Sequence, residues 1–318
     1  MHLYTPLLRP LYMHIPDGFL SLPVALFFWG AAILLILLAV RNTRGELDDR
    51  QIPLMGVMAA FIFAAQMINF PIAGGTSGHL LGGVLAAITL GPWAGMLVMT
   101  SVIGVQALLF QDGGLLVMGA NIFNMGLLTA LIGYGLYRAV NARSKPVRLA
   151  VAGFAAWLSV VAGALFTSLQ IWLSGSALLT VIVPAMLSVH ILIGIGEALI
   201  TVAALAFIMQ TRPDLISAKQ GQEKGGRGWI AAGLLTSLAV LLLAPIASSD
   251  PDGLERVAIN LGFFHRGAQA PFSIFSDYMI PGLGNAALST ILAGAIGALF
   301  AAGLAVLIVR FSRRPSKT

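Results

Sequence analysis

The sequence predicts an all-α integral membrane protein with about nine transmembrane helices, and three observations carry that prediction. Of its 318 residues 58% are hydrophobic and only 9% are charged, whereas a soluble domain carries about 25% charged residues. Apolar runs close to the ~20 residues that span a bilayer recur along the chain. The basic residues gather in alternate connections between those runs, as the positive-inside rule requires.

Taken in order, the runs lie near residues 22–40, 53–69, 79–91, 93–110, 119–137, 148–173, 182–209, 229–247 and 286–309. The run at 79–91 is short and sits between Gly78 and Gly91-Pro92, where glycine and proline stop one helix and start the next. It reads as a ninth span or as a re-entrant helix. With residue 21 outside, the inner segments hold Arg41, Arg44, Arg50, Arg138, Arg143, Lys145, Arg148, Arg212, Lys219, Lys224, Arg227, Arg310, Arg313, Arg314 and Lys317, which is 15 of the 18 basic residues. Only Arg9, Arg256 and Arg266 fall outside. The N-terminus is thus expected outside and the C-terminus in the cytoplasm. Without a crossing at 79–91 the later basic loops would lie outside. The net charge of +6 therefore belongs to cytoplasmic rims, and no nucleic-acid surface is expected. No basic stretch with a small-residue cleavage site precedes the first run, so no cleaved signal peptide is expected.

Residues 13–210 form one compact bundle. Residues 211–228, TRPDLISAKQGQEKGGRG, are polar and rich in glycine and lysine, and read as a cytoplasmic linker. Residues 229–318 add two spans that enclose an outer loop, 248–285. The last span carries rows of small residues, Gly294, Ala298, Ala302 and Gly297, Ala301, Ala305, which let helix backbones approach closely within the bundle or at a partner.

The absence of cysteine excludes thiolate metal sites, iron–sulfur clusters and disulfides. Five histidines remain: His2, His14, His79, His190 and His265. The topology puts His14 and His79 on the same outer face. A histidine at the second position of a free amino terminus chelates well, because the terminal amine, the deprotonated amide and the imidazole close a planar set. A second imidazole from His79 would complete four nitrogens, a geometry that favours Ni(II) or Cu(II). Such a site needs the amino terminus at Met13. The alternative is that each histidine is an interfacial polar residue. Glycines around His79 (Gly74, Gly75, Gly78) permit close approach of an inserted segment. Asp17-Gly18 after Pro16 reads as a turn, with Asp17 capping the first helix or supporting the turn. Gln66, Asn69, Asn121 and Asn124 are candidates to orient His79. The twelve methionines are scattered and read as packing or lipid-facing residues.

MHIPDGFLS, followed by GGTSGHLLGG with its histidine 65 positions after His14, resembles the CbiM/NikM family, the substrate-binding membrane components of energy-coupling factor transporters for cobalt and nickel. The resemblance covers residues 13–210. Pro251-Asp252-Gly253-Leu254-Glu255 resembles the PDGLE region of the family's small accessory component, here fused. The resemblance implies Met13, His14 and His79 as ligands of a transported Ni(II) or Co(II), with no catalytic residue and no resident cofactor. It also implies a transmembrane coupling subunit of CbiQ/NikQ type, ATPase subunits of CbiO/NikO type and a multi-pass location in the bacterial plasma (inner) membrane. Residues 1–12 depart from the family pattern. The simplest expectation is a mis-assigned start, with trimming of the extension, or a chelate at Met1-His2, as alternatives.

The chain lacks G-x-x-x-x-G-K-[ST] and so is not expected to be an ATPase or another enzyme. Two other readings stay open on the residues. Gly75-Thr76-Ser77-Gly78 with His190 could form the Ser–His dyad of an intramembrane serine protease. His190 and Glu197, on one face of a long span, could serve a proton-coupled secondary transporter or merely steady the bundle.

Overall fold

Residues 14–44, 51–216, 228–268, 272 and 274–312 are described by a computed structural model. Met13, the extension 1–12 and the linker residues 217–227 lie outside them. The described chain is mostly helical, and seven of its helices are long and apolar enough to cross a membrane.

Helix α1 (Leu22–Thr43) starts with proline in its first turn, where the ring's fixed φ suits a helix and the missing N–H is no loss. It exposes Phe27, Leu34 and Leu37, as a helix facing lipid does. Helix α2 (Gln51–Gln66) is shorter, with 16 residues, and largely buried. It leads into a hairpin of β1 (Phe70–Ile72) and β2 (Thr76–Gly78), paired antiparallel with Pro71 opposite Ser77.

The expected run at 79–91 becomes a non-helical arm, residues 79–82, followed by α3 (Gly83–Leu90), whose 8 residues are all buried. Such a helix rises about 12 Å, too little to cross ~30 Å of hydrocarbon alone. The arm adds at most about 13 Å, so arm and helix together reach at most about 25 Å, still short of the full hydrocarbon thickness. Gly91 then turns the chain into α4 (Pro92–Val105), which continues as a π-helix over Gln106–Phe110. A loop at 111–117 leads to α5 (Met118–Asn121), a π-helical stretch (Ile122–Leu128) and α6 (Thr129–Arg138), which together make one span. Helices α7 (Lys145–Leu173) and α8 (Leu179–Thr211) pack along each other as a long hairpin.

The C-terminal part contributes α9 (Gly228–Leu241) and α11 (Ala286–Ser312), both packed against α2. The small-residue rows of α11 serve that packing. Gly297 lies under Phe63, and Gly294 under Met67. Between these helices the outer loop carries α10 (Gly253–Leu261) and folds back over the β-hairpin.

Candidate metal centre

The segment after Met13 is an insert held on two sides. The Ile15 N–H donates to Asn121 Oδ1, and the Ile15 carbonyl accepts from Asn121 Nδ2, both at 3.0 Å. One asparagine amide thus pairs with the insert as a neighbouring strand would. The Gly114 N–H donates to the Ile15 carbonyl at 2.9 Å, and the Ala268 N–H donates to the Asp17 carbonyl at 2.8 Å. The Asp17 carboxylate accepts the N–H groups of Leu115, Leu116 and Val117 at 3.0, 2.9 and 3.2 Å. Asp17 therefore caps the turn that enters α5. It does not cap α1, whose N-cap Ser21 makes no side-chain cap bond. Glycine is required opposite the insert, because a Cβ at Gly114 would fall on the backbone and carboxylate of Asp17.

This seating buries His14 and His79 to 2% and 6% exposure and brings their ring centroids to 5.7 Å. An imidazole nitrogen binds a metal at about 2 Å, so two rings facing one ion have centroids about 6 Å apart or less. The observed spacing fits that arrangement.

The His14 Nδ1–H donates to Asp112 Oδ1 at 2.7 Å, and the Tyr278 hydroxyl donates to Asp112 Oδ2 at 2.7 Å. Among the described residues the buried Nε2 of His14 has no hydrogen-bond partner. A carboxylate on one ring nitrogen with the other left for a cation is the usual arrangement around a metal-binding histidine. A chelate that includes the His14 amide closes through Nδ1, the nitrogen nearer the backbone, so forming it requires the ring to turn away from Asp112. The His79 Nδ1–H donates to the Leu80 carbonyl at 3.0 Å, which makes Nε2 the basic nitrogen of the neutral ring.

Burial alone would raise the Asp112 carboxyl; the charge and hydrogen bond of His14, with the Tyr278 hydroxyl, reverse this and hold it below the ordinary range. Burial also pushes the Tyr278 hydroxyl well up, with the Asp112 charge adding to it, so the hydroxyl stays a donor. Tyr278 stacks on Phe110 at 4.7 Å. Tyr278→Phe keeps this stack and removes one bond to a charged group, so it is expected to cost about 1.5–3 kcal/mol. A lower unfolding temperature of the metal-free protein would register it.

The outer loop closes the site from above. The Ser77 N–H donates to the Pro251 carbonyl at 2.9 Å, the Ser77 hydroxyl to the Asp250 carbonyl at 2.7 Å, and the Thr76 hydroxyl to the Pro251 carbonyl at 3.0 Å. Asp252 pairs alongside Ser77 in parallel and caps α10 through the Glu255 N–H at 2.7 Å. Burial pushes the Asp252 carboxyl up to about 7, the Asp112 charge adding to the effect. Asp252 and Gly253 line a cavity of ≈ 80 Å³ together with His14, His79, His190 and Asn124. Among the described residues no three His, Asp or Glu side chains gather closely enough to hold an ion by themselves.

The other candidates have structural partners. The Ser77 hydroxyl is committed to the backbone, and the His190 Nδ1–H donates to the Met186 carbonyl at 2.7 Å. Glu197 accepts the N–H groups of Leu81 and Gly82 at 2.6 and 3.0 Å. Of the four amides expected to orient His79, only Gln66 reaches its arm, donating to the Leu81 carbonyl at 2.8 Å. Asn121 holds the His14 segment, Asn124 pairs with Gln170, and Asn69 accepts the Ser248 N–H through its main-chain carbonyl, its buried side-chain Oδ1 having no hydrogen-bond partner among the described residues. His265 is exposed. Sequence reasoning missed Asp112 and Tyr278. A signal for Asp112 existed, since Gln111-Asp112-Gly113-Gly114 is a polar turn between two apolar runs on the outer side.

The family described as CbiM, cobalt uptake substrate-specific transmembrane region, matches residues 14–215. The chain belongs to the CbiM family. A PDGLE domain matches residues 227–314. The chain is 37% identical over 304 residues to the "Putative fused nickel transport protein NikMN" of Archaeoglobus fulgidus, covering 95% of this chain and 99% of that one. It is 32% identical over 218 residues to the "Cobalt transport protein CbiM" of Sorangium cellulosum, covering 65% and 96%. A crystal structure of a truncated transition metal transporter superposes with a TM-score of 0.57 at 32% identity, covering 62% of this chain and 98% of that one. This CbiM-family chain is thus a multi-pass membrane protein similar to cobalt and nickel transport proteins.

Proposed function

We propose that the chain is the metal-capturing component of an energy-coupling factor transporter, binding Ni(II) or Co(II) through Met13, His14 and His79 at its outer face. The observation that carries the reading is the buried pair His14 and His79 with ring centroids 5.7 Å apart; the nitrogen of His14 without a partner among the described residues is Nε2, so the planar chelate requires the ring to turn and bring Nδ1 to the ion. Two imidazoles do not complete a coordination sphere; a free amine at Met13 and the deprotonated amide of His14 would supply the other two nitrogens. Nickel is the favoured cargo. A planar nitrogen set suits it, and a relative that matches both units of this chain is named for nickel.

The topology proposed has nine crossings, with the N-terminus outside and the C-terminus in the cytoplasm of a bacterial cell. The alternating basic connections support it. Non-helical backbone at membrane depth must have its polar groups satisfied inside the protein, and Glu197 and Gln66 do this for Leu81 and Gly82. Without a phosphate-binding loop, the chain would draw its energy from separate ATPase subunits through a coupling subunit.

The test is metal analysis of the purified chain after equilibration with Ni(II) and with Co(II), followed by uptake into proteoliposomes with and without the partner subunits and ATP. Stoichiometric metal and ATP-dependent uptake are expected. A chain that binds neither ion would refute the site. Uptake by the chain alone would replace the ATPase-driven reading with a secondary transporter.

A further inference from the structure

Helix α8 runs past the arm that carries His79 and grips it at two levels. Ile193 packs under Gly78, where an added Cβ would lie 2.8 Å from the Ile193 side chain. One turn further along, on the same helix face, Glu197 is fully buried and receives the consecutive N–H groups of Leu81 and Gly82. These groups precede α3, whose N-cap Gly82 has no side chain to cap it. From the other side, Gln66 on α2 donates to the Leu81 carbonyl. Both backbone groups of Leu81, two residues after His79, are thus held by side chains from two helices.

A single carboxylate matches this task. It presents two oxygens to two adjacent donors, and charge-assisted bonds of this kind are about twice as strong as neutral ones. Buried ionisable side chains in membrane helices are costly and are kept where they serve a defined partner. Here that partner is the backbone of the His79 arm.

We propose that Glu197 is a positioning residue for the metal ligand His79, fixing the arm so that the imidazole meets His14 at the spacing an ion requires. This rests on the reading of His14 and His79 as metal ligands. Movement of α8 relative to the His14 insert would then change the separation of the two imidazoles, which links the tilt of one helix to metal retention.

The test measures Ni(II) affinity of the full chain by competition with a chelating dye, which also reads weak binding, in Glu197→Gln, His79→Ala and the double variant. Glutamine keeps the length and one acceptor oxygen, so folding is preserved. Loss of such an orienting contact costs about 10–100-fold in metal affinity, and Glu197→Gln is expected at the lower end. In the His79→Ala background it is expected to change affinity no further, whereas its effect on the unfolding temperature without metal persists. Unchanged affinity in Glu197→Gln would overturn the proposal. So would an equal loss with and without His79, which would make the effect purely structural. Wild-type affinity in His79→Ala would remove the ligand assignment and the positioning role together.

Discussion

His79→Ala is expected to lower Ni(II) affinity by at least about 100-fold, since losing a ligand exceeds the 10–100-fold cost of losing a group that only orients one. Transport should fall to background. The substitution is the cleaner of the two histidine tests. The His79 Nδ1–H donates to the neutral carbonyl of Leu80, whereas the His14 ring is paired with a buried carboxylate. His14→Ala is expected to match it in metal binding but to lose stability as well. It removes the His14 partner of Asp112, a carboxylate exposed by only 3% that keeps the Tyr278 hydroxyl, and breaking a buried charged pair costs up to about 3–5 kcal/mol. Isothermal titration with Ni(II), paired with thermal unfolding in detergent, separates the two effects. Unchanged affinity in both variants would end the metal assignment.

Asp17→Ala carries the second large effect. It removes the acceptor of three backbone N–H groups in the turn before α5. A lost helix cap costs about 0.5–2 kcal/mol, and a buried donor without an acceptor about 1–3 kcal/mol, so about 1.5–5 kcal/mol in total is expected. The same turn holds the insert through the Gly114 N–H to the Ile15 carbonyl. Metal affinity should therefore fall with stability, although the Asp17 carboxylate is engaged by backbone N–H groups. Asp17→Asn retains acceptor oxygen and should recover part of both. The check is to measure unfolding temperature and Ni(II) affinity together. A stable Asp17→Ala protein with full affinity would show that the turn does not seat His14.

His14 and His79 could be singled out from the chain alone because each lies beside an unusual local pattern. Glycines surround His79, and a proline–aspartate–glycine turn follows His14. Their common face followed from counting crossings by charge. Asp112 and Tyr278 could not be ranked in the same way. They lie 166 positions apart, and nothing in either local segment marks the other as its partner. Glu197 was visible as an acid within an apolar run, but its two acceptor roles depend on how an arm from elsewhere in the chain passes α8. The segment at 79–91 has enough apolar residues to suggest a crossing. Whether they would be helical throughout depended on side chains from α2 and α8 that satisfy the backbone of the arm.

The sequence by itself determined the membrane class, the apolar runs and the candidate pair of imidazoles. Composition, hydropathy and charge asymmetry are set by local residues and by the solvent they must face, so they can be read along the chain. Only the tertiary structure decided that His14 and His79 stand 5.7 Å apart, that Asp112 and Tyr278 hold one ring while Glu197 and Gln66 hold the arm of the other, and that the PDGLE segment closes the cavity over both. Those are contacts between segments far apart in sequence, and their geometry follows from how the helices pack.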